Sequence, residues 1–324
     1  MKHFILKTLA STFVALSVSA AAAQEKVTYL FPAPDFLPAF APFQLAKGKG
    51  YFEDAGLKVT FQTGKGGADV ATQVAVGNAD LGGGIGDTPI IVRANGLNIR
   101  GVGLLGGRGL TQIGWRKDSG ISGVEDFAGK SFGVLSFQDT TYYNLLGVLA
   151  SVGLTKNDVD IQAVGPGGII QLMISGDLDG CSCVPEWLAA IEGAGVAIDQ
   201  MPVDTVFPAM AQAIIASDET IAERPDMVEG FVNAVMKAIR DIKADPEAAA
   251  AEYTKLVPQH AGKEDEIAAI MKAYSNLIYA EGENQKLGTF DPARIEAVQD
   301  FYFDSGIVQT AVPVADLYTN EFIK

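Results

Sequence analysis

The chain has 324 residues, with 39 acidic side chains against 24 basic ones and a net charge of −15 at pH 7. So acidic a chain argues against nucleic acid and against anionic membrane surfaces as partners. Two histidines in all argue against a His-rich metal site and against a Ser-His-Asp triad.

Residues 1–23 read as a secretory signal peptide. Lys2 and Lys7 precede a short apolar core at 9–18, and three alanines end at Ala23, before Gln24. Cleavage near Ala23 leaves 301 of the 324 residues, with 22 basic against 39 acidic residues and a charge of −17. The residue after the cleavage point is Gln24 and not Cys, so the expectation is a soluble, exported, periplasmic protein rather than a lipoprotein. From there, strand-like runs rich in Val, Ile, Leu and aromatics occur at 26–31, 57–62, 81–85, 99–105, 110–115, 131–135, 160–164 and 178–184. Helical patterns at 38–56, 68–77, 87–96, 142–153, 169–176 and 185–195 separate them, several ending in Gly. This alternation predicts α/β lobes with largely parallel sheets. From residue 218 the pattern is almost all helical, with Asp218, Asp226, Asp245 and Asp291 as N-cap candidates. That block is expected to cover a lobe. Cys181 and Cys183, in GCSCV, read as two buried thiols, with a strained bridge as the alternative.

A faint repeat links FQTGKGGADVATQVAVGNADLGGGIGDTP (61–89) with IQAVGPGGIIQLMISGDLDGCSCVPEW (161–187). Each reads strand, Gly-rich turn, helix, a turn ending in Asp, strand, and an acidic helix start with Pro. One α/β unit used twice predicts two related lobes offering similar loops.

Together AKGKGYFEDAGLKVTF, GGADVATQVAVGNADLGGG, VEDFAGKSFGV, LASVGLTKNDVDI and GDLDGCSCVPEW resemble one group of type II periplasmic solute-binding proteins. That group is related to the fungal thiamine-pyrimidine synthase and includes nitrate-, sulfonate-, taurine- and thiamine-pyrimidine-binding components of ABC importers. The resemblance runs over residues 27–322. It implies two α/β lobes that close on a ligand like a Venus flytrap, joined by two crossing strands, near 112–115 and 208–214. The first lobe would be 24–111 plus 207–324, and the second 112–206. A permease and an ATPase would be the partners and a monomer the default state; no cofactor or metal is implied, and no G-x-x-x-x-G-K-[ST] loop is present.

Open α/β sheets bind at the carboxyl ends of their strands, so four loops are expected to face the cleft. The first carries Asp35 and Phe36, with Phe31 and Phe40 as further stacking candidates. The second offers Gly66 and Gly67, with Lys65 beside them, and the third Asp87 and Thr88, one of which is expected to cap the helix. The fourth is SFQDTT, with Gln138, Asp139, Thr140 and Thr141. Members of the group that handle anions often carry a hydroxyl-rich turn here; Asp139 departs from it and would occupy the helix amides an anion needs. Gly167 and Gly168, and Glu186 with Trp187, complete the set. Acids outnumber bases, so the expected ligand is neutral or cationic, planar and rich in N–H donors, such as an aminopyrimidine. Arg108 is the residue that would favour a carboxylate instead. The alternatives are a binder of an organic anion (a sulfonate, taurine or an aromatic carboxylate) and, with a single histidine after residue 23, the less favoured pyrimidine-synthesising enzyme.

Overall fold

A computed structural model describes residues 23–281 and 285–324; residues 1–22, which hold nearly all of the expected signal peptide, lie outside them. Among the described residues, ten strands form two five-stranded sheets. The first sheet contains β1 (Glu25–Phe31), β2 (Leu57–Thr63), β3 (Leu81–Ile85), β4 (Ile99–Leu104) and β10 (Gln212–Ser217), in the order β2-β1-β3-β10-β4. The second contains β5 (Gln112–Arg116), β6 (Ser131–Val134), β7 (Asp160–Ala163), β8 (Gly180–Cys183) and β9 (Ile198–Pro202), in the order β7-β6-β8-β5-β9.

The two orders are the same pattern. In each sheet one strand, β10 or β5, runs antiparallel to both its neighbours, and that strand enters from the other lobe. The sequence repeat occupies equivalent places: an edge strand, a helix, then the central strand. This is the type II periplasmic binding protein fold. The chain passes between the sheets at 105–111 and at 203–211. Residues 112–115, expected to cross, instead lie inside the second sheet as β5, and 208–214 straddles the second passage and the start of β10.

The helices are α1 (Ala41–Gly48), α2 (Tyr51–Asp54), α3 (Gly67–Ala75), α4 (Thr88–Arg93), α5 (Thr140–Ser151), α6 (Gly165–Ser175), α7 (Pro185–Gly193), α8 (Asp218–Glu223), α9 (Pro225–Ala244), α10 (Pro246–Leu256), α11 (Glu264–Leu277) and α12 (Pro292–Asp304). The expected helix over 38–56 is broken, because Gly50 takes φ +74°, a left-handed conformation open to glycine, and separates α1 from α2. No described helix is long and apolar enough to cross a membrane.

The first lobe's core is aromatic. Tyr29 stacks on Phe43 and Phe231, with ring centroids 4.8 and 5.0 Å apart, and Phe52 stacks on Phe231 at 4.8 Å. Helix α9 places Phe231, Val228, Val232 and Val235 on one buried stripe and covers this core, as an amphipathic helix should. Two of the four aspartate caps form: Asp245 accepts from the Ala248 N–H and Asp291 from the Ala293 N–H. Ser217 caps α8 in place of Asp218, whose carboxylate is held by Arg93 and Arg100, and Asp226 sits inside the first turn of α9.

The cysteines are not free thiols. Cys181 and Cys183 are joined in a disulfide with Cα atoms 5.5 Å apart. Residues two apart on a strand present their side chains to one face, and that Cα separation is within reach of a bridge.

Candidate ligand-binding cleft

A narrow cavity of about 50 Å³ lies where the two lobes meet. The first lobe contributes Tyr29, Leu37, Phe40 and Phe43 and the backbone of Gly83 and Gly84 in β3; the second contributes Leu135, Asp139, Thr141, Val184, Glu186 and Trp187. Leu110 lies on the first passage between the lobes, and Gln212 opens β10 just after the second. The lining is mainly apolar, and no lysine, arginine or histidine is among the described residues that form it.

Three polar atoms of these lining residues are buried without a hydrogen-bond partner: Glu186 Oε1, Trp187 Nε1 and Gln212 Oε1. Leaving such groups dry costs on the order of 1–3 kcal/mol each. Their other ends are fixed. The Tyr274 hydroxyl of α11 donates to Glu186 Oε2 across the lobe seam, and Gln212 Nε2 donates to the Ala39 carbonyl at 3.0 Å. Burial pushes the Glu186 carboxyl up to about 7, although the Tyr274 hydroxyl opposes the shift.

The turn between β6 and α5 lies on the seam. Asp139 caps α5, one carboxylate oxygen accepting from the Thr141 N–H at 3.0 Å and from its hydroxyl. Its second oxygen accepts from the Gly67 N–H of the first lobe at 3.1 Å. Burial raises the Asp139 carboxyl, and these donors act against that rise. Thr140 is hydrogen-bonded to Thr88 across the seam at 2.7 Å, hydroxyl to hydroxyl.

Asp87 faces a different network. Although it stands at the N-cap position of α4, its side chain makes no cap bond there, and Thr88 Oγ1 accepts instead from the Ile85 N–H. The Asp87 carboxylate accepts from the Met210 N–H at 2.9 Å, Asn144 Nδ2 at 2.8 Å and the Tyr302 hydroxyl at 2.9 Å, all buried. Thr111, on the first passage, donates to Asn144 Oδ1 at 2.6 Å, so both lobes and α12 join this network. At the hinge, Arg108 holds Asp204 with two bonds of 2.7 and 3.2 Å. Burial alone would raise Asp204, but Arg108 and the Gly109 N–H outweigh it and keep the carboxyl low. Arg294 of α12 donates to the carbonyls of Gly107, Pro208 and Ala209 on both passages.

Of the residues singled out from sequence, Asp139, Thr141, Glu186 and Trp187 line the cavity. Thr88 and Thr140 bond each other, Gly67 bonds Asp139, and Asp87 is occupied behind the cleft. Asp35, Phe36, Gly66, Gln138, Gly167 and Gly168 are not among the lining residues. Phe36 instead lies beside His260, its carbonyl accepting from Tyr253 and bonded to the His260 ring, while Gln138 and Gly167 are exposed. Phe31 is core and Phe40 lines the cavity. Arg108 is half-exposed and held by Asp204 rather than presented to the cavity. Tyr29, Phe43 and Gln212 were not anticipated. A lone glutamine inside the apolar run MAQAII was the available sign for Gln212.

The profile of the family described as NMT1/THI5 like matches residues 37–249. A riboflavin-binding protein, RibY, of Chloroflexus aurantiacus is 24% identical over 290 residues, 88% of this chain and 82% of the relative. The 4-amino-5-hydroxymethyl-2-methylpyrimidine phosphate synthase of Aspergillus parasiticus is 29% identical over 243 residues, 68% of each. Among solved structures, the alkanesulfonate-binding protein SsuA of Xanthomonas axonopodis pv. citri bound to MOPS superposes with a TM-score of 0.71 at 18% identity, over 92% of this chain and 98% of that one.

Proposed function

This chain belongs to the NMT1/THI5-like family, and on that footing we propose that it is an exported substrate-binding protein. It would deliver a small heteroaromatic molecule, pyrimidine-like and bearing N–H donors, to the permease and ATPase of an ABC importer. One observation carries the reading: two acceptor oxygens, Glu186 Oε1 and Gln212 Oε1, and one donor, Trp187 Nε1, are buried and unpartnered on residues that line one cavity without a cation. The cavity of about 50 Å³ must widen on hinge opening to admit a flat ring, whose amino or ring N–H groups would then meet these oxygens beside Phe40 and Trp187. An anionic ligand would meet the Asp139 carboxylate with no basic side chain among the described lining residues to offset it. The relatives named for riboflavin and for a pyrimidine phosphate support a heteroaromatic ligand.

Binding would follow hinge closure between the lobes at 105–111 and 203–211. Calorimetry with a panel of aminopyrimidines and riboflavin, set against taurine and alkanesulfonates, tests the ligand class. Tight sulfonate binding with no heterocycle binding overturns it, and turnover of any bound heterocycle overturns the binding role.

A further inference from the structure

Helices α3 and α5 belong to different lobes, yet their first residues meet on one side chain. The two oxygens of Asp139 divide the work: one takes the Thr141 N–H of its own helix, the other the Gly67 N–H across the seam. Around this carboxylate the lobes touch backbone to backbone. The Ala68 N–H donates to the Gln138 carbonyl at 2.9 Å, and the Ser136 hydroxyl to the Lys65 carbonyl at 2.7 Å. A Cβ on Gly66 would stand 2.8 Å from the Asp139 backbone, and one on Gly67 would stand 2.7 Å from the Thr140 hydroxyl. Asp139 is only 6% exposed.

We infer that Asp139 is a tethered anion that draws the two lobes together, doing from within the chain what a bound anion does between two facing helix N-termini. Free N–H groups and the helix dipole favour negative charge at such ends. Supplied covalently, that charge needs no binding from solution, so the seam closes without an external anion. The adjoining cavity, which Asp139 and Thr141 also line, is thereby reserved for an uncharged or cationic ligand; this last consequence rests on the cleft reading above.

The test compares the wild-type chain with Asp139→Ser. Serine is as good an N-cap, so α5 keeps its start, but it lacks the second oxygen that reaches Gly67. Small-angle X-ray scattering and tryptophan fluorescence, which Trp187 in the cleft should report, are recorded without ligand and during a formate titration at constant ionic strength. The expected result is a larger radius of gyration for D139S in chloride, a saturable contraction to the wild-type value on adding formate, and no formate response from wild type. A D139S as compact as wild type without formate, or a wild type that contracts with formate as D139S does, overturns the inference. If D139S does not fold, Asp139→Asn takes its place. Its amide retains a cap but turns a donor toward Gly67, so it should be expanded and unresponsive to formate, and a compact D139N overturns the inference. Heterocycle calorimetry on wild type separates the two readings. Formate rescue in D139S without heterocycle binding sinks only the ligand assignment; heterocycle binding with no anion response in D139S sinks only the tether.

Discussion

Replacing Glu186 with Gln probes the cavity's most perturbed acid. The Glu186 carboxyl is 6% exposed and pushed from the ordinary 4.5 to about 7 by burial. Because its folded value is raised, the folded chain keeps a proton that the unfolded chain has already lost between these two values. The stabilising contribution is therefore complete below about pH 4.5 and lost as pH rises through about 7. At about 1.4 kcal/mol per pK unit, the shift corresponds to roughly 3 kcal/mol across that window. Glutamine keeps the shape and an acceptor for Tyr274 but has no proton to lose. Urea unfolding of both chains at intervals from pH 5 to 8 is the assay. The stability of E186Q relative to wild type should climb by about 2–3 kcal/mol between the two ends, with the denaturant slope unchanged. A difference that stays flat with pH would refute the reasoning, since only a titrating buried carboxyl produces the slope.

Other consequences follow from the seam and the hinge. Tyr302→Phe removes a donor from the buried Asp87 carboxylate; it should cost about 1–3 kcal/mol in unfolding free energy, read by denaturant titration. Gly66→Ala sets a Cβ 2.8 Å from the Asp139 backbone at a φ of +107°. It should hold the lobes apart, seen as an increased radius of gyration, and unchanged scattering would contradict the seam geometry. Arg108→Ala breaks an ion pair whose arginine is 52% exposed. The Asp204 it leaves behind is only 4% exposed, so the stability cost should be on the order of 1–3 kcal/mol, while affinity for an uncharged heterocycle should be nearly unchanged, whereas a large selective loss of carboxylate binding would make Arg108 a ligand contact. The disulfide between Cys181 and Cys183 is fully buried, so native chain should resist thiol-specific alkylation in mild reductant and label only after unfolding.

Local chemistry alone fixed much of this protein. Eight of the ten described strands stand out as runs of strand length rich in Val, Ile, Leu and aromatics, most plainly where a strand such as β3 is buried on both faces. The pairing of 61–89 with 161–187 correctly announced two lobes of one design. What hid from sequence was whatever depends on a partner far along the chain. β9 (IDQMP) has no apolar run and is a strand only because β5 supplies its hydrogen bonds. Asp87 looked like a cap, yet α12 and α5 bring Tyr302 and Asn144 to it from more than fifty residues away. Arg108 looked free until the return passage delivered Asp204. Asp139 shows both sides of the division. Its place before a helix made it a cap by sequence alone, since capping is settled within three residues. That its other oxygen joins the second lobe to the first depends on Gly67, 72 residues earlier, and only the folding of both sheets brings those two helix ends together.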